Sequence, residues 1–114
     1  MPIIKVWCLP HLDEERLRYL YKKIVDAVEG VSELGIKGQS AITVLFPKDS
    51  MEFGLGEEII IEVTGLFNKP ERTFEVRQKL AEELGRAVSE TFPRAKTECL
   101  VYPFDPADGF WSST

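Results

Sequence analysis

Two short runs alternate apolar and polar positions with the period of a strand, and each is followed by a stretch with the period of a helix. Ile3-Ile4-Lys5-Val6 opens the first half, and Ile60-Ile61-Glu62-Val63 repeats it 57 residues on, half the chain length. After the first run, Leu17, Leu20, Tyr21, Ile24, Val25 and Val28 recur at three- and four-residue intervals. That spacing predicts a helix over about 13–29 with those side chains on one face. Glu15, Arg18, Lys22, Asp26 and Glu29 fill the opposite face and are expected to point at water. After the second run, Val76, Leu80, Ala81, Leu84 and Val88 predict a helix over about 70–92. Pro70 suits its first turn, where the N–H that proline lacks has no intrahelical acceptor, and Pro93 stops the far end. Further apolar runs, 41–46 and 99–102, follow the helices and are each closed by a proline, Pro47 and Pro103.

The element order is therefore β-α-β, a connection, and β-α-β. A β-α-β unit returns its second strand parallel to its first by a right-handed crossover. Two such units predict an α+β fold: one domain over 1–114, with pseudo-repeats 1–50 and 57–114, a four-stranded mixed sheet, and both helices on one face. Ile59, Ile60, Ile61 and Val63 look too apolar for a strand with one wet face. The bare face is thus expected to be covered by other copies of the chain, in a symmetric homo-oligomer. Gly54 and Gly56 mark the connection as turn-rich. The tail 103–111 is aromatic but interrupted by Pro and Gly. It either packs on a neighbouring subunit or lends aromatics such as Phe104 to the wall of a pocket.

Composition narrows the functional classes. The chain has 114 residues, 44% of them hydrophobic, enough for one core. Its net charge of -5 and pI near 4.9 exclude a surface that neutralises many phosphates, and with it a nucleic-acid binder. A small anionic substrate needs only one or two local cations and stays possible. Cys8 and Cys99 lie in apolar runs without a CxxC partner and read as buried thiols. His11 is alone and makes no metal site. The N-terminus has a strand pattern and not a leader's, and no run is long enough to span a bilayer, so a cytoplasmic protein with no membrane partner is expected.

Met1-Pro2-Ile3-Ile4-Lys5-Val6 ahead of a β-α-β repeat resembles the tautomerase superfamily, whose long-chain members fuse two such units. Phe46-Pro47 and then Met51-Glu52-Phe53-Gly54 resemble the central connection of its macrophage migration inhibitory factor branch. Val101-Tyr102-Pro103-Phe104-Asp105, with Gly109-Phe110-Trp111, resembles that branch's last strand and tail. The resemblance runs the length of the chain and rests on the order of short motifs. It implies a homotrimer with sites between subunits, no cofactor or metal, and keto–enol tautomerisation, isomerisation or related lyase chemistry on a small carbonyl acid.

Pro2 has a chemical meaning once Met1 is removed. Its nitrogen is then a secondary amine, and burial or nearby cations would lower its pKa toward neutrality. Such an amine can take a proton from the carbon beside a carbonyl and return it elsewhere. The alternative is a proline that merely begins a strand. The resemblance places a catalytic lysine in the loop before the second strand, within one residue of Lys37, and an aromatic donor at Tyr102. The asparagine that follows that donor in the family has no counterpart here. Shorter family members hold a carboxylate with arginines near the pocket; Lys69 and Arg72 stand at a corresponding strand-to-helix junction. Glu58 and Ile59 occupy the second repeat's equivalent of the proline, so each chain is expected to carry one site. The competing function is a non-enzymatic trimer of the same fold that binds a protein or metabolite.

Overall fold

The helices form where the periodicity places them, and their caps fix where they begin. A computed structural model describes residues 1–7, 9–48 and 57–110. The expectations for Cys8, for the Met51-Glu52-Phe53-Gly54 and Gly56 connection and for Trp111 fall outside those residues. Helix α1 (Glu14–Glu29) starts at Asp13, whose carboxylate accepts from the Arg16 N–H at 2.9 Å. Glu14 and Glu15 follow, where negative charge complements the helix dipole. Leu20, Ile24, Val25 and Val28 are buried, while Leu17 and Tyr21 are half-buried.

Helix α2 (Phe74–Thr91) begins later than the periodicity predicts. Residues 69–72 form a turn in which the Arg72 N–H donates to the Lys69 carbonyl at 2.9 Å. Thr73 is the cap, its hydroxyl accepting from the Val76 N–H at 3.4 Å. Pro70 therefore lies ahead of the helix and not in its first turn. Thr73→Ala is expected to lower stability by about 1 kcal/mol in urea denaturation, with Thr73→Ser close to wild type. An unchanged midpoint in Thr73→Ala would show that the cap contributes nothing.

Four strands, β1 (Ile3–Trp7), β2 (Thr43–Leu45), β3 (Glu58–Phe67) and β4 (Lys96–Phe104), form one sheet in the order β2-β1-β3-β4. β1 is parallel to β2 and β3 is parallel to β4, so each repeat supplies one parallel pair. The repeats join through antiparallel β1 and β3, with Ile4 opposite Val63. Ile4, Val6, Ile59, Ile61 and Val63 are buried in a core shared with Leu20, Ile24, Leu80, Leu84 and Val88 of the helices. Full burial of side chains this size stabilises by about 2 kcal/mol each.

The sheet's period of two corrects the argument from the apolar run. Ile59, Ile61 and Val63 face the core, and only Ile60 of that quartet lies on the opposite face. That face also carries Ile3, Lys5 and Trp7 of β1, Glu62 of β3 and Glu98 of β4, and the Trp7 indole donates to the Glu62 carboxylate at 2.6 Å. Its outer strands leave Leu45, Leu100 and Tyr102 exposed by 44%, 40% and 47%. Pro103 does not end β4. It lies within the strand opposite Leu66, which is tolerated because β4 is an edge strand. Opposite it, β3 carries a bulge: the register slips between Val63 and Leu66, and Gly65 takes a φ of 72°.

Candidate active site

Pro2 leads into β1 near the middle of the sheet, and its backbone is pinned there. Its carbonyl accepts from the Thr43 N–H at 3.1 Å, at the start of β2. Ile3 pairs with Thr64, so continuing the antiparallel register by one residue sets Pro2 against Gly65 of the bulge. The Pro2 side chain is buried and Met1 is largely exposed. In this chain the Met1 carbonyl acylates the Pro2 nitrogen, and the terminal amine belongs to Met1. That amine has its pKa held below the ordinary value, first by burial, then by the charges of Arg72 and Lys69.

The two cations occupy different surroundings. Lys69 is exposed in the turn before α2. Arg72 is only 8% exposed. Its two terminal nitrogens donate to the carbonyls of Phe67, at the end of β3, and Leu34, in the 3₁₀ turn Ser32–Leu34. Its Nε has no hydrogen-bond partner among the described residues. A carboxylate clamp presents a guanidinium fork outward; here the fork braces two segments of backbone, and its charge is felt at the N-terminus.

Lys37 lies on the loop that leads into β2, with its side chain exposed. The loop is held at both sides of it. Arg72 grips Leu34, and the Glu29 carboxylate accepts from the Gly38 N–H at 2.7 Å. Glu29 is thus a brace for this loop and not simply part of a water-facing stripe, a role its helical spacing does not announce. Tyr102 lies on the outer sheet face, opposite the bulge, between Val101 and Pro103, whose partners are Val63 and Leu66. Phe104 pairs with Phe67, their rings 6.3 Å apart at 33°. The start of β1, the loop into β2, the ends of β3 and β4 and the turn before α2 therefore converge at one end of the sheet. They bring Pro2, Lys37, Lys69, Arg72, Tyr102 and Phe104 to that end.

A cavity of the single chain lies at the other end, bounded by Pro10, His11, Phe46, Ile59, Phe92 and Arg94. It is the repeat's counterpart of the Pro2 end, for Ile59 stands 57 residues after Pro2 and Arg94 stands 57 after Lys37. Ile59 offers only a peptide nitrogen there. Cys99 offers no nucleophile either, since burial pushes its thiol up to about 12 and leaves it protonated near neutrality. No cluster of three or more His, Cys, Asp or Glu side chains is placed to hold a metal among the described residues. Among the same residues, no helix is long and apolar enough to cross a membrane.

No family model matches the sequence, and a search of curated proteins gave no significant match. Solved structures do match. A fused 4-OT, solved as an asymmetric trimer, has a TM-score of 0.76 at 16% identity, over 98% of this chain and 94% of its own. Pt0534, solved after inactivation by 2-oxo-3-pentynoate, has a TM-score of 0.75 at 18% identity, over 97% and 92%. This chain has the tautomerase-superfamily fold. Macrophage migration inhibitory factor of Toxoplasma gondii shares it, with a TM-score of 0.70 at 18% identity over 98% of this chain and 97% of its own. The tautomerase fold thus joins this chain to fused 4-OT and to the migration inhibitory factor alike, and does not by itself select the branch that the tail motifs resemble.

Proposed function

We propose that the chain is a cofactor-independent tautomerase or isomerase for a small carbonyl acid, with Pro2 as general base and then general acid once Met1 is removed. The observation that carries this is the electrostatic setting of the N-terminus, where burial, Arg72 and Lys69 together disfavour an ammonium ion. Pro2 is itself buried and lies one residue further in, so burial and the same two cations would act in the same direction on a proline amine there. A neutral secondary amine there takes a proton from the carbon beside the substrate carbonyl. The enolate oxygen that forms needs a donor or cation, and Lys37 and Tyr102 are the two candidates at this end of the sheet. Lys69, being exposed, attracts the substrate carboxylate. The proline ammonium then returns its proton to a different atom of the enolate, completing the isomerisation without a cofactor.

The assembly we propose is a homotrimer in which a neighbouring subunit walls the Pro2 end. Support comes from the apolar side chains left on the outer sheet face and from the fused 4-OT structures of the same fold, solved as trimers. Two measurements test the reading. Intact mass spectrometry is expected to show loss of Met1, and phenylenolpyruvate and 2-hydroxymuconate are expected to be ketonised with a rate that rises as the amine deprotonates. Retention of Met1 leaves Pro2 nitrogen a tertiary amide with no basic lone pair. That result would remove the enzymatic reading in favour of a non-enzymatic protein of the same fold that binds a protein or metabolite.

A further inference from the structure

The bulge in β3 places one glycine directly against the group that occupies the Pro2 nitrogen. A Cβ built on Gly65 would stand 2.9 Å from the Met1 carbonyl oxygen, closer than side chains approach such an atom, and 3.8 Å from two carbons of the Ile3 side chain. The Met1 carbonyl carbon is bonded to the Pro2 nitrogen, and its oxygen projects into the space that the absent side chain of Gly65 leaves free. When Met1 is removed, a carbonyl carbon that bonds to the proline amine from this side takes the place of the Met1 carbonyl carbon, and one of its substituents enters the volume of that oxygen beside Gly65. Gly65 also has a positive φ, as do Gly35 and Gly38, but built Cβ atoms on those two meet nothing within 4 Å. Backbone conformation alone therefore does not account for what is particular to Gly65.

We infer that Gly65 is a specificity-determining residue whose missing side chain keeps open the β3-side approach to the Pro2 nitrogen. This rests on the proposal that Pro2 bears an uncapped amine, but it does not require tautomerase turnover. It concerns access: a small carbonyl carbon reaches the nitrogen past Gly65, and a methyl group at position 65 closes that route.

Reaction with pyruvate and cyanoborohydride reads this access directly. The proline amine adds to the ketone and expels water, giving an iminium ion, and cyanoborohydride delivers hydride to its carbon. The product is a stable N-(1-carboxyethyl) amine that peptide mapping assigns to Pro2 or to lysines. In the Met1-processed protein, Gly65→Ala is expected to slow alkylation at Pro2 roughly tenfold or more, and to leave Lys69 unchanged. Gly35→Ala carries a comparable backbone strain with nothing near its methyl group, and is expected to leave alkylation at Pro2 at the wild-type rate. Gly65→Asn, whose side chain tolerates positive φ better, is expected to block as Gly65→Ala does.

Equal alkylation at Pro2 in wild type and Gly65→Ala overturns the inference and leaves the tautomerase proposal standing. Slowed alkylation in a protein that ketonises neither test substrate keeps the inference and removes the tautomerase proposal. No alkylation at Pro2 in the processed wild type overturns the inference. So does failure of both Gly65 variants to fold after Met1 is removed, because the glycine would then serve the bulge and not access.

Discussion

Pro2→Ala is expected to reduce turnover of an enol-acid substrate by roughly 10²-fold or more, the scale of a positioned general acid–base group. Alanine leaves an amine at the same terminus and in the same setting, so the loss would not come from a missing proton acceptor. It would come from direction. The pyrrolidine ring fixes the nitrogen's lone pair relative to a backbone already held by the bond from the Thr43 N–H to the Pro2 carbonyl, whereas an alanine amine rotates about its Cα. The pH profile separates this role from damage to the fold. A cation beside an ammonium disfavours it and lowers its pKa, so removing the cation raises the pKa. Lys69→Met should therefore move the rising, base-dependent limb of kcat/KM to higher pH, and Lys69→Arg should leave it in place. Wild-type turnover in Pro2→Ala would dismiss the mechanism, and a limb that does not move in Lys69→Met would dismiss the electrostatic part of it.

The other large effect concerns stability. Arg72→Met would remove the two guanidinium hydrogen bonds to the carbonyls of Phe67 and Leu34, in a region where the arginine itself is buried. Losing a buried hydrogen bond costs about 1–3 kcal/mol, so removing both is expected to lower stability by about 2–6 kcal/mol in denaturant unfolding. Arg72→Lys keeps the charge but, with a single ammonium in place of a planar fork, is expected to recover only part of that loss. If Arg72 instead held substrate, its replacement would raise KM and leave the unfolding midpoint near wild type. That outcome would overturn the bracing role described above.

Much of the fold is legible in the sequence because it is written twice. The 57-residue repeat gives the order of elements, and the helical spacing picks out Leu20, Ile24, Val25 and Val28 in α1 and Val76, Leu80, Leu84 and Val88 in α2, all of them buried. What escapes is information that periodicity does not hold. Pro70 and Thr73 are both reasonable helix starters, and only the hydrogen bond from the Val76 N–H decides for Thr73. A run of three isoleucines hides its alternation, so the faces of Ile59, Ile60 and Ile61 become clear only in register with β1 and β4.

The site divides in the same way. Pro2, Lys37, Lys69, Arg72, Tyr102 and Phe104 are all visible as candidates, through a resemblance and through residue chemistry. Their convergence depends on loops and a bulge, which carry no period. Gly65 and Glu29 leave no pattern at all: one matters for an atom it lacks, and the other for a backbone N–H nine residues away.

Because β1 and β3 run in opposite directions, the molecule has two poles, each built from the beginning of one repeat. Along β3, Ile59 is separated from the Pro2 end by about 20 Å, at roughly 3.3 Å per residue. That is well beyond the screening distance of about 8 Å for exposed charges in physiological salt. Within one chain, a charge gained or lost around Ile59, His11 or Arg94 is therefore screened from the Pro2 end, so the two ends of the sheet can diverge in sequence without either forcing a change in the other.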